Sequence, residues 1–247
     1  MKRAAALLFC VVSSTGWAVD IRVLSIAAVE PGLAKVGDQY RRETGNRVRI
    51  VYGTAQQLER RLNLGDPPTD VLIAAPGLMS DQLRRNKVEA EGNAFIGRVG
   101  IGVAIRNGAP DPDIASLERF KQSLLAADSI VYGQNATGLH LEKLFDLMGI
   151  GEQLKPKTTR YANTAQVLEH IMSGTGIEIG FAAITEIKPF ESKGVRFVGP
   201  LPAQVQSSTA YSAGVMTDAP EVEAAREFLK YLATPASKAL FFAAGIE

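Results

Sequence analysis

Cysteine is all but missing: Cys10 stands alone in 247 residues, beside two histidines at positions 140 and 170. A single thiol excludes an internal disulfide and any metal site built on several thiolates, and two histidines are too few to replace them. An excess of either charge is missing too, with 27 Lys and Arg against 26 Asp and Glu. No polybasic surface therefore advertises nucleic acid or an anionic membrane. No apolar run after the N-terminal segment reaches the roughly 20 residues of a membrane span. A GxSxG elbow and a phosphate-binding loop are absent, and Gly97, Gly100 and Gly102 fall inside a strand pattern, not between strand and helix, so they form no dinucleotide fingerprint. No cofactor and no metal is implied.

What is present begins with a processing segment. Lys2 and Arg3 form a basic head, residues 4–12 an apolar stretch, and Gly16, Trp17 and Ala18 offer a small-residue cleavage site. The expectation is a signal peptide over residues 1–18, export to the periplasm, and loss of Cys10 with the signal. The remaining Lys and Arg then fall one short of the 26 acidic residues.

From Asp20 onward the chain reads as strand, loop and helix, repeated. Val29, Leu33, Val36 and Tyr40 recur at helical spacing with Pro31 in the first turn and Gly45 beyond the end. A strand over 48–52 is followed by a helix with Leu58 and Leu62 inward, and the apolar run over 70–74 reads as a strand buried on both faces. VGIGVAI over 99–105 carries two glycines and reads as a hinge strand into a second lobe. That lobe repeats the grammar: a helix with Phe120 and Leu124, a strand over 129–132, a helix with Leu141 and Phe145, a helix capped near Asn163, and strands over 177–183 and 195–198. A strand over 211–216 returns to the first lobe, and helices over 220–232 and 235–244 close the chain.

The chemistry concentrates where strands hand over to helices. Ala27-Ala28-Val29-Glu30, Gly53-Thr54-Ala55-Gln56 and Ala136-Thr137-Gly138-Leu139 each place small residues at a helix start. The first turn of a helix leaves N–H groups unpaired and carries about half a positive charge, so small residues there let an anion reach the backbone directly. The expected function is a cleft for a small anion at the edge of an open α/β sheet.

The order and spacing of VLSIAAVEPGL, GTAQQL, GDPPTDVLIAA, NATG, EIGFAAITE and FLKYLATPASKALFFAAGI resemble the periplasmic molybdate-binding proteins and the wider type II extracellular solute-binding proteins. The resemblance spans essentially the whole chain after the signal. It implies an α/β clamshell of two lobes, each a mostly parallel sheet flanked by helices, joined by a two-strand hinge. Lobe I is expected over 19–98 and 212–247, and lobe II over 99–211. It further implies a small anionic ligand and an inner-membrane ABC transporter permease as partners; a monomer that binds no nucleic acid is expected.

Carried over by position, the resemblance assigns ligand contacts to Ala28, Thr54 and Ala55, main-chain contacts to Ala75, Thr137 and Ala165, and a closing contact to Ala183. Alanine replaces the family's serine at 28, one of a serine pair at 55 and a tyrosine at 183. The hydroxyls lost there leave room for a larger anion than molybdate. Arg98 adds a guanidinium that would hold a carboxylate. Aconitate isomerases resemble this same group, and an enzyme of that type would need a base and an acid for allylic proton transfer. Glu30, His140 and Glu186 are the candidates. Two of them also have a plainer reading: Glu30 complements a helix dipole, and His140 is a solvated first-turn side chain.

Overall fold

The computed structural model describes residues 18–65 and 67–247. The expected signal segment therefore lies outside the described residues, apart from Ala18. The first part of the chain runs β1 (Asp20–Ile26), α1 (Glu30–Thr44), β2 (Arg47–Gly53), α2 (Ala55–Leu64), β3 (Val71–Ala74) and α3 (Pro76–Arg84). A long strand β4 (Ala94–Arg106) leads into α4 (Leu117–Ala126), β5 (Ser129–Gly133), α5 (Ala136–Leu147), α6 (Gly151–Leu154), β6 (Thr158–Tyr161), α7 (Thr164–Ser173), β7 (Glu178–Ala183), α8 (Ile184–Ile187) and β8 (Val195–Pro200). The chain ends with β9 (Ser208–Val215), α9 (Val222–Leu232) and α10 (Pro235–Ala243).

The helices stop where backbone chemistry stops them. Gly45 and Gly65 end α1 and α2 with φ of 79° and 68°, the left-handed conformation that glycine adopts without a Cβ clash. Asn135 and Asn163 cap α5 and α7, each side chain accepting from the N–H three residues on.

The strands follow the order β2-β1-β3-β9-β4-β7-β5-β6, with β8 also paired to β4. β1 lies parallel between β2 and β3, and β5 lies parallel between β6 and β7. Two antiparallel strands, β4 and β9, join these parallel groups. The first half of β4 pairs with β9, while the residues from Ile101 onward pair with β7 and those from Gly102 with β8. The chain thus passes from one sheet system to the other within a single strand.

Two main cores lie on either side of that crossing. Ile21, Leu33, Leu72, Phe228 and Phe241 belong to the first, where Tyr40 meets Phe228 edge to face with ring centroids 5.1 Å apart. Phe120, Ile130, Leu141, Phe145 and Phe181 belong to the second. Asp70, wholly buried just before β3, ties three segments of the first core region: its Oδ2 accepts from the Arg22 N–H at 2.7 Å and its Oδ1 from the Glu221 N–H at 2.8 Å.

Several boundaries differ from the sequence expectation. β4 starts at Ala94 and not at Val99, because residues 94–100 are held by pairing to β9, which itself starts at Ser208 instead of position 211. The register shifts between Phe95 and Gly97, leaving Ile96 unpaired; Gly97 has φ of 152°, and a Cβ there would lie 2.6 Å from Ile246. The strand β6, with no apolar alternation to announce it, forms through parallel pairing with β5. α9 starts at Val222 and not at position 220, with Glu221 as its cap and Pro220 just before the cap.

Candidate functional site

A cleft of about 320 Å³ opens between the two cores. Its floor is the crossing itself, Val99, Gly100 and Ile101 of β4 with Thr209 and Tyr211 of β9. Ala27 and Ala28, in the turn between β1 and α1, line one side together with Gly53, Thr54 and Ala55 at the start of α2. Asn135, Ala136 and Thr137 at the start of α5, with Ala183 and Glu186, line the other. The loop-to-helix junctions read from the sequence therefore converge on one space.

Local chemistry explains how they are held. Thr54 caps α2 in a reciprocal box: its Oγ1 accepts from the Gln57 N–H at 3.3 Å, and the Gln57 Oε1 accepts from the Thr54 N–H at 2.8 Å. The Thr54 main-chain donor is thus occupied, whereas its hydroxyl keeps a proton to donate. Asn135 is occupied in the same way by the Gly138 N–H at 3.2 Å. Gly138 lets α5 begin this close to β5, since a Cβ would lie 2.1 Å from the Gly133 carbonyl oxygen.

A second cavity of about 500 Å³ adjoins the cleft and shares Ala27 and Glu186 with it. Glu30, Pro31 and Ala34 of α1, Thr164 and Ala165 of α7, Thr185, Pro189 and Phe190 line the rest of its wall. No arginine or lysine lines either cavity among the described residues.

Glu186 is the charged group common to both. It is the third residue of α8 and accepts a hydrogen bond from the Thr164 hydroxyl at 2.8 Å. Burial pushes its carboxyl above the ordinary glutamate range, while the bonds from Thr164 and the Ala183 main chain act in the opposite direction. Burial also raises the Tyr211 phenol, with a smaller upward contribution from the Glu186 charge nearby.

The residues assigned from the sequence divide accordingly. Ala28, Thr54, Ala55, Thr137 and Ala183 line the cleft, and Ala165 and Glu30 line the adjoining cavity. Ala75 caps α3 and lines neither. Arg98 is exposed on β4, outside both linings, with its guanidinium carbon 5.7 Å from the Phe95 ring centroid and its main chain bonded to Glu247. His140 also lies outside both, its Nε2 3.2 Å from the Val205 carbonyl oxygen. The sequence reading missed Ser207 just before the returning strand, Thr209 and Tyr211 on it, and Thr164 and Thr185 in the second cavity. The hydroxyl-rich run QSSTAYS over 206–212 was the available signal.

Among the described residues, no group of three or more His, Cys, Asp or Glu is placed to hold a metal ion, and no helix is long and apolar enough to cross a membrane.

Comparison with known proteins matches residues 21–247 to the family described as bacterial extracellular solute-binding protein. An aconitate isomerase from a Pseudomonas species is 29% identical over 227 residues, covering 89% of this chain and 85% of that protein. The substrate-binding domain described for a molybdenum ABC transporter of Clostridium difficile superposes with a TM-score of 0.76 at 17% identity, covering 93% of this chain and 99% of that one. The periplasmic molybdate-binding protein of Azotobacter vinelandii superposes with a TM-score of 0.69 at 16% identity, covering 92% and 98%. These likenesses show the fold: a mixed α/β clamshell of two lobes joined by β4 and β9.

Proposed function

This chain belongs to the bacterial extracellular solute-binding proteins, and from that premise we propose that it is a periplasmic receptor that closes its lobes on a small organic carboxylate. It acts as a monomer and hands the ligand to an inner-membrane ABC transporter permease. Lobe I comprises residues 19–98 and 212–247, lobe II residues 99–211, and ligand binding stabilises the closed arrangement.

The observation that carries this reading is the convergence of the α2 and α5 N-termini on a cleft that, among the described residues, no lysine or arginine lines. An anion there is neutralised by unpaired main-chain N–H groups and by the hydroxyls of Thr54 and Thr137. Alanine at 28, 55 and 183 favours a carboxylate over a tetrahedral oxyanion. Such an oxyanion needs a donor on most of its oxygens, and each one left bare costs about 1–3 kcal/mol.

Thermal unfolding in the presence of molybdate, tungstate, sulfate, citrate and the aconitates tests the reading. A carboxylate present at about 100 times its Kd adds about 2.7 kcal/mol of stability. Stabilisation by the inorganic oxyanions alone would refute it.

A second reading is an isomerase on the same scaffold, favoured by Glu186 in the cleft with a raised carboxyl pKa and by the aconitate isomerase relative. In this reading Glu186 takes the allylic proton of an unsaturated tricarboxylate and returns one at the other end of the shifted double bond, with Tyr211 nearby as a donor. Glu30 and His140 have weaker claims, since neither lines the cleft. Incubation with cis-aconitate and measurement of the trans isomer decides the point.

A further inference from the structure

The cleft and its neighbour differ in hydrogen-bond character. The cleft offers the starts of α2 and α5 and the hydroxyls of Thr54, Thr137, Ser207 and Thr209. The adjoining cavity is bounded by two carboxylates, Glu30 and Glu186, with no cationic side chain in its lining among the described residues. α7 also opens onto that cavity, but Glu186 already stands beside its first residue, bonded to the Thr164 hydroxyl. The chain thus supplies its own anion to the α7 N-terminus, which removes that terminus as a place for the ligand's charge. Thr185 gives an independent sign that something polar belongs in this cavity. It is 0% exposed, lines the cavity, and its hydroxyl has no hydrogen-bond partner among the described residues.

We propose that the two spaces together take one bipartite ligand: a carboxylate seated in the cleft that also carries a hydroxyl or ammonium donor directed at Glu186. This rests on the reading of the protein as a carboxylate receptor. A carboxylate has about four acceptor positions, and in Glu186 they are only partly used by Thr164 and Ala183. Closing the lobes over an anion without a donor leaves Glu186 facing a like charge. An anion with a donor gives Glu186 a charge-assisted hydrogen bond instead. Ala183 contributes only a methyl to the same wall, so the carboxylate is open to the ligand. Glu186 is therefore the specificity-determining residue, and the class it selects is hydroxy- or aminocarboxylates over their deoxy analogues.

The test is calorimetric titration of wild-type protein and Glu186→Gln with matched pairs: malate and aspartate against succinate, and citrate against tricarballylate. Gln keeps the length and an acceptor for Thr164 and Ala183 while removing the charge. The wild type should bind malate or aspartate, or citrate, at least about tenfold more tightly than the deoxy partner, and Glu186→Gln should bring that ratio to about one. Equal affinities within each pair for the wild type overturn the proposal while leaving the carboxylate reading intact, and this needs no variant to fold. A preference that survives Glu186→Gln overturns it as well. Binding of molybdate with no binding of any of the five acids overturns both.

Discussion

Thr54 shows how one side chain carries both fold and site. Its oxygen caps α2 while its proton is free for a ligand. Thr54→Val should therefore lower stability by about 1 kcal/mol through the lost cap and weaken the ligand by about 1–3 kcal/mol through the lost donor, whereas Thr54→Ser should restore both. Chemical unfolding and titration calorimetry read the two effects separately. Glu186 supplies a pH signature. Its folded pKa is raised, so the folded state holds its proton more firmly than the unfolded chain does. The stability contributed is full below the ordinary glutamate pKa and is lost as pH rises through the raised one. Urea unfolding across this acidic range should show wild type losing stability relative to Glu186→Gln as pH rises, with the difference levelling off above the folded pKa. Asp70 is structural: Asp70→Ala leaves the Arg22 and Glu221 N–H groups without partners and should cost about 3 kcal/mol in the same assay.

At the scale of elements, the site depends on where helices begin. α5 can start against β5 only because position 138 has no side chain. Gly138→Ala should displace the helix start, cost about 1–3 kcal/mol and weaken ligand binding, whereas Asn135→Ala should cost about 1 kcal/mol through loss of the cap. Comparing unfolding midpoints with affinities in both variants separates helix position from helix stability. The βα junctions were legible in the sequence because small residues, caps and apolar periodicity agree there. Arg98 and His140 were not legible: which face of β4 or α5 a side chain occupies is set by pairing with β9 and by packing near Val205.

At the scale of the molecule, the lobes are joined where β4 changes partners. The Gln206 side chain grips this point, its Oε1 accepting from the Ile101 N–H and its Nε2 donating to the Ile101 carbonyl, both at 2.9 Å. Gln206→Leu removes both bonds at the crossing, so amide exchange at Ile101 should speed up more than exchange in β1 or β5. Ligand should also reduce the radius of gyration measured by small-angle scattering, and an unchanged value would contradict lobe closure.

The sequence by itself determined the α/β grammar, the helix starts rich in small residues and the family pattern, because each rests on neighbours a few positions apart. Only the tertiary structure decided that Ser207, Thr209 and Tyr211 enter the cleft, that Arg98 stays out, and that Glu186 stands between two cavities. Those facts depend on β4 and β9 meeting across more than a hundred residues of chain, and no local rule of spacing encodes such a meeting.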